Sequence, residues 1–230
     1  MTIPDSVRSL ERDLRAIFGD RLDALVIYRP VADAPGLPIP TLATVRSLTV
    51  DDLRACAGRV DAWQDAGLAT PLVIAAAEFA RSLDAFPLEF GAILADHVAV
   101  TGTDPFLDLT VDGGDLRRAC EVQARSHLLH LREGYIEARG RGDAIAGLIE
   151  DSLAPLAGLM KSVARLLGDR PATGPDAAST VERAAALPAG SLSAVLTATQ
   201  LSGETAREMF PSYLSAVEAL TRFVDGWSRP

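Results

Sequence analysis

Lysine, histidine, cysteine and aromatic residues are all scarce in this chain. Among its 230 residues are one lysine, Lys161, three histidines and two cysteines, and Phe, Tyr and Trp together make up 5%. Cys56 and Cys120 lie far apart without a partner motif, which excludes a disulfide framework and a zinc site and leaves them as small core residues. No apolar run approaches the roughly 20 residues that span a bilayer. The start, Met-Thr-Ile-Pro-Asp, has no basic region followed by an apolar one, so no secretory signal is read and a cytoplasmic location is expected. Positive charge is also short: 22 basic against 31 acidic residues give a net charge of -9 and a pI near 4.8. That balance speaks against broad electrostatic binding to nucleic acid or to anionic membranes. The phosphate-loop and dinucleotide glycine motifs are absent, as is the Gly-x-Ser-x-Gly elbow.

Apolar residues, in contrast, are plentiful. A hydrophobic content of 48% with 23% charged residues describes a globular chain able to bury one large core or two small ones. Val7, Leu10, Leu14, Ile17 and Phe18 follow helical spacing over residues 4–18, with Pro4 in the first turn and Gly19 at the stop. Leu25, Val26, Ile27 and Tyr28 then form an unbroken run of β-formers, which suits a strand covered on both faces and ended by Arg29-Pro30. In an α/β arrangement a ligand meets the carboxyl end of such a strand. The next ten residues, 31–40, hold four glycines or prolines and read as a loop.

Further strands are expected at 41–48, 71–75 (buried) and 97–101, the last as a possible edge. Helices are expected at 49–66, capped by Thr49 and with Leu53, Cys56, Val60 and Trp63 on one face, at 76–83, and briefly from Phe86. After Asp104-Pro-Phe106 the strand signals stop. Long helices are read from Asp112 or Asp115 to 138, where Leu116, Cys120, Leu128, Leu131 and Tyr135 form the stripe, and over 143–167, where Pro155 should kink the helix. Shorter ones follow at 176–187, 190–200 and 203–226, the last with Pro211 as a second kink. The expected fold class is α+β: a small mixed sheet with helices over residues 1–110, then an all-helical bundle over 111–230. Trp63 and Trp227 read as core or interface residues.

The helix, the strand near residue 25, the small sheet unit and the helical second half resemble the nucleotidyltransferase superfamily of kanamycin nucleotidyltransferase and the minimal bacterial nucleotidyltransferases. Ser82-Leu-Asp-Ala-Phe-Pro-Leu-Glu-Phe90, Gly102-Thr-Asp-Pro-Phe106, Leu116-Arg-Arg-Ala-Cys-Glu121 and Leu128-Leu-His-Leu-Arg-Glu-Gly-Tyr135 are similar to a bacterial branch of such proteins. The resemblance covers roughly residues 5–170. It implies, in active members, a Gly-Ser at the end of the first strand for close approach of the triphosphate, and an Asp-x-Asp about a dozen residues later that binds magnesium for phosphoryl transfer.

This chain departs from that pattern. Tyr28 is followed by Arg29 and Pro30; arginine adds bulk where phosphate must approach, and proline removes an N–H donor. Between Ala24 and Leu48 the only carboxylate is Asp33, while Asp51 and Asp52 read as first-turn helix charges. The leading expectation is a catalytically degenerate nucleotidyltransferase-like protein with a binding or regulatory role, no catalytic or metal-ligating residues and no cofactor. Its partner would be an unknown protein or small molecule, and a homodimer is possible. An active enzyme with displaced ligands, drawing on Asp33, Glu89 or Asp96 with Mg and NTP, is the alternative. A further one rests on Arg125-Ser-His-Leu-Leu-His130, which matches the arginine, four residues, histidine pattern of helical HEPN ribonucleases, with Arg125 to hold phosphate and His130 as acid or base.

Overall fold

A computed structural model of the chain describes residues 2–28, 37–171 and 173–227. It divides into two compact units, Met1–Val111 and Asp112–Pro230. The first is built on a four-stranded mixed sheet: β1 (Leu22–Tyr28), β2 (Thr41–Val45), β3 (Leu72–Ala75) and β4 (His97–Gly102), in the order β3-β2-β1-β4. β1 runs antiparallel to both neighbours, and β2 pairs with β3 in parallel.

Alternation along β1 sends successive side chains to opposite faces of the sheet. Leu25 and Ile27 enter one apolar cluster with Val7, Leu10, Leu14 and Phe18 of α1 (Asp5–Phe18). Cys56 of α2 (Val50–Ala57) and Trp63 of α3 (Val60–Asp65) complete that face. Val26 turns the other way, into a cluster with Leu42, Phe79 of α4 (Ala76–Ser82), Phe90 and Ile93 of α5 (Pro87–Ala95), and Phe106. The unbroken apolar run thus has the cause read from the sequence: both faces are covered.

Three expectations are corrected. The helix over 49–66 is two short helices, because Gly58 ends the first and Arg59 N–H bonds back to Cys56 in a tighter turn; glycine weakens a helix interior by about 1 kcal/mol relative to alanine. With the break, Leu53 is 48% exposed rather than part of one continuous face. The 71–75 strand is not buried: β3 is a sheet edge, and Leu72 is 40% exposed. β4 is the opposite edge, and its last residue, Gly102 (φ +79°), passes so close to Asp23 that a Cβ there would overlap the Asp23 carbonyl. Thr49 caps α2 through a reciprocal box with Asp52, and the Arg21 guanidinium holds Asp52 at 2.7 and 2.8 Å.

The second unit is all helical: α6 (Gly113–Ala138), α7 (Gly142–Leu166), α8 (Gly174–Ala184), α9 (Ser193–Thr197) and α10 (Gly203–Gly226). Asp112 rather than Asp115 caps α6, accepting from the N–H groups of Gly114 and Asp115. Pro155 and Pro211 lie inside α7 and α10, and both helices run through them. The first turns of α7 and α10 touch through glycines: a Cβ on Gly142 would lie 2.7 Å from the Gly203 Cα, so only glycine permits this approach. Tyr135, expected on the buried stripe of α6, is 43% exposed and stacks on Phe210 with ring centroids 4.5 Å apart.

Candidate functional site

The site implied by the resemblance lies at the carboxyl end of β1. Arg29, Pro30 and Asp33 fall outside the described residues. Tyr28 is half-buried, donates its N–H to the Pro40 carbonyl at 3.3 Å, and lies opposite His97 on β4. Because β2 runs antiparallel to β1, its first residue, Thr41, sits beside Ile27 at this same end of the sheet.

β2 is the strand that would carry the metal-binding carboxylates. It reads Thr41-Leu-Ala-Thr-Val45, and all five residues are buried, Thr44 at 2% exposed and the other four at 0%. The hydroxyls of Thr41 and Thr44 are sealed from solvent with no hydrogen-bond partner. Three residues apart, these two threonines point to opposite faces of the sheet and cannot converge on one ion. A magnesium ion takes six hard oxygen ligands in near-octahedral geometry. A strand of apolar residues and two divergent, buried hydroxyls does not fit it.

Two of the three candidate carboxylates, Glu89 and Asp96, are among the described residues. Glu89 is exposed in the first turn of α5, and Asp96 is exposed at its C-cap, seven residues further on. That spacing separates them by about 10 Å along the helix axis. Among the described residues no group of three or more His, Cys, Asp or Glu is placed to hold a metal.

What does gather at this end of the sheet is His97 and Asp104. His97 Nδ1 donates to the Ile93 carbonyl at 3.0 Å, and Nε2 lies 3.2 Å from both Asp104 oxygens. Asp104 also accepts the Phe106 N–H at 2.9 Å. Burial raises the Asp104 pKa, but the hydrogen bonds from Phe106 and His97, with the attraction of the imidazole, outweigh it and leave the carboxyl below its usual range. With both ring nitrogens engaged, His97 fastens the 104–106 turn, and Phe106 packs edge-on against its ring at 4.6 Å. Asp104 stands in the Gly102–Phe106 segment quoted for the resemblance but was not read as a partner of His97, although an Asp-Pro pair before an aromatic is a turn signal.

In the helical unit, Arg125 and His130 are both exposed on α6. Five residues apart on a helix, they diverge by about 140° around its axis. Arg125 is held by Glu121 at 3.2 Å and Asp225 at 3.1 Å, and the hydrogen bond it donates to Glu121 leads in raising its pKa. His130 Nδ1 meets Ser126 Oγ at 3.4 Å. The two are not brought together as a phosphate-cleaving pair.

The buried histidine is their neighbour His127. Its Nε2 lies 2.7 Å from the Tyr213 hydroxyl, which is 2.9 Å from Ser152 Oγ, and Ser152 donates to the Ile149 carbonyl at 2.6 Å. The carbonyl can only accept, so it fixes the direction of the chain: His127 donates to Tyr213, and Tyr213 to Ser152. Burial, helped by the nearby His130, pushes the His127 pKa down to about 4, and burial raises that of Tyr213. Glu182 is a second buried polar anchor, accepting from the N–H groups of Gly190, Leu192 and Ser193 at 2.7–3.0 Å. Burial works against its charge, yet these donors hold its pKa below normal. Both fasten the bundle, His127 to a partner 86 residues away and Glu182 to the backbone of the turn that follows its own helix, and neither contact has a spacing signature in the sequence.

No protein-family model matches the chain, and no curated protein does. Among solved structures it is similar to spectinomycin adenyltransferase AAD(9) from Enterococcus faecialis, determined with ATP and spectinomycin, with a TM-score of 0.54 at 10% identity over 96% of this chain and 98% of that one. At that identity the likeness is one of fold, and the fold is nucleotidyltransferase-like: a small mixed sheet with helices, followed by helices alone.

Proposed function

We propose that this chain keeps the nucleotidyltransferase-like fold without its chemistry and serves as a binding or regulatory protein. The observation that carries the reading is β2. In the strand where Asp-x-Asp would stand, every residue is buried and none is a carboxylate. The substitutions Arg29 and Pro30 in the sequence after β1 support it, since neither provides the close backbone approach that a triphosphate needs.

The test is incorporation of label from α-labelled ATP, with magnesium, into protein, nucleic acid or small hydroxylated acceptors. None is expected. Magnesium-dependent incorporation abolished by Asp33→Asn, Glu89→Gln or Asp96→Asn would overturn the reading in favour of an active enzyme with displaced ligands. That second reading draws support from the fold likeness to an adenyltransferase determined with ATP. A thermal shift with ATP separates binding from chemistry: a ligand at a hundred times its Kd adds about 2.7 kcal/mol to the stability of the unit that binds it. A shift without incorporation supports a nucleotide-binding protein that has lost catalysis, and a shift that appears only with magnesium favours the enzyme.

A further inference from the structure

Three of the described arginines are half-buried rather than exposed: Arg21, Arg117 and Arg165. The first two lie on carboxylates, Arg21 on Asp52 at 2.7 Å and Arg117 on Glu121 at 3.1 Å. Arg165, in the last turn of α7, does not. Its Nη2 donates to Ser162 Oγ at 2.8 Å, and the buried Ser162 donates its only proton to the Gly158 carbonyl at 3.0 Å. Arg165 Nε is sealed from solvent with no acceptor. Of the five N–H bonds of this guanidinium, one thus has an acceptor among the described residues. Asp169, the next carboxylate along the chain, accepts instead from Thr180 Oγ1 and from the Arg170 N–H. Burial lowers the Arg165 pKa, and what opposes it is the thiol of Cys120 on α6, not a carboxylate.

A charge drawn out of water without a counter-charge is costly, and a sealed N–H without an acceptor adds to the cost. Long basic side chains ordinarily avoid both by carrying their heads into water. The dipole of α7 favours a cation in its last turn, but a solvated one serves it equally well. The burial of Arg165 therefore brings the helix no gain. What it does bring is a guanidinium held in place by Ser162, with most of its donors unused and its charge unmatched. Such a planar fork fits two oxygens of a carboxylate or phosphate group.

We infer that Arg165 anchors an oxyanion-binding site on the helical unit, where its Nη atoms, beside Ser162, take the carboxylate or phosphate group of a small ligand. The unmatched charge selects an anion, since a neutral ligand would leave it uncompensated. The fork geometry selects an oxyanion over a spherical halide, because only the former offers two acceptors to two parallel N–H bonds. The site involves the helical unit alone, so it is independent of the proposed loss of transferase chemistry in the sheet unit.

The arginine Nε–H signals in ¹⁵N-resolved NMR spectra of the full chain test this. The sealed Nε–H of Arg165 should exchange slowly with water and give a persistent cross-peak, identified by its loss in Arg165→Lys. Inorganic phosphate and acetate are titrated separately to about 50 mM, with potassium chloride as the control at constant ionic strength. The expected result is a shift of that peak that saturates with phosphate or with acetate, half complete by about 10 mM, and is absent with chloride. Saturation with phosphate assigns a phosphate group to the ligand, and saturation with acetate a carboxylate. Arg165→Met removes the charge and keeps the apolar stem. In chloride it should melt no lower than wild type, because an apolar group replaces an unmatched buried charge. The oxyanion that raises the melting temperature of the wild type should leave that of the variant unchanged. A peak that stays still or drifts alike with all three anions would overturn the inference. So would an Arg165→Met chain that responds to the oxyanion as wild type does, melts well below wild type in chloride, or fails to fold.

Discussion

Acid should loosen the helical unit through one side chain, His127. The imidazole is 6% exposed and donates to Tyr213, and its pKa of about 4 lies well below the ordinary value near 6.5. Between those two values the unfolded chain binds the proton and the folded chain does not. Stability therefore rises with pH across that window: the contribution is complete above about pH 6.5 and is lost as pH falls toward 4. At 1.36 kcal/mol per pKa unit the gap amounts to about 3 kcal/mol, which lowers the melting temperature of a domain of this size by about 10 °C. The comparison to make is wild type against His127→Gln, whose amide can still donate to Tyr213 but cannot take up a proton. Calorimetric melting of both proteins from pH 7 to pH 4 subtracts the carboxylates that they share. The wild type should lose about 3 kcal/mol more than the variant over that interval. A difference between the two that stays constant with pH would refute the reasoning, because it would mean that the folded bundle accommodates the imidazolium as readily as water does.

Three other outcomes are expected. Gly142→Ala forces the first turn of α7 away from Gly203 and should cost the helical unit about 1–3 kcal/mol in denaturant unfolding; an unchanged midpoint would show that the two turns can part freely. Thr44→Val exchanges a buried, unpartnered hydroxyl for a methyl and should stabilise the sheet unit by about 1 kcal/mol; a loss of stability would mean that the hydroxyl has an acceptor after all. Burial raises the Cys120 thiol to about 12, so at pH 8 it should resist a thiol reagent in the folded protein and react fully in guanidinium, and equal rates in both states would contradict its placement.

Much of the architecture was legible because local pattern and long-range packing agree. The run Leu25–Tyr28 was read as a strand covered on both faces, and its side chains do divide between two clusters. The stripe of α1 needed only its own periodicity. The failures came where a neighbour decides. Nothing in Pro71–Ala75 distinguishes an edge strand from a central one, since sheet order is set by pairings far along the chain. Gly58 is an ordinary helix residue until the turn after it closes on Cys56. The histidines show the limit most clearly. Sequence reasoning drew attention to His130 through its spacing from Arg125, while the histidine with a perturbed environment is His127, whose partner Tyr213 lies 86 residues away. For the sequence-derived site, the missing carboxylates could be read directly from residues 24–48. The burial of β2 could not, because it depends on elements from both sides of it in the chain: Phe79, Phe90 and Phe106 share a cluster with Leu42, and α1 and Trp63 share the other with Ala43 and Val45.

That burial limits which residues β2 can accept. An acidic pair on β2 would place two carboxylates among closely packed apolar side chains, each costing several kcal/mol without a counter-charge. Natural domains hold only about 5–15 kcal/mol of net stability. A first acidic substitution would thus harm folding before a second could bring any benefit from a metal. Packing of this kind acts as a filter on substitution: the exposed surface of the sheet unit is free to change, whereas β2 admits an acidic residue only at the expense of the fold.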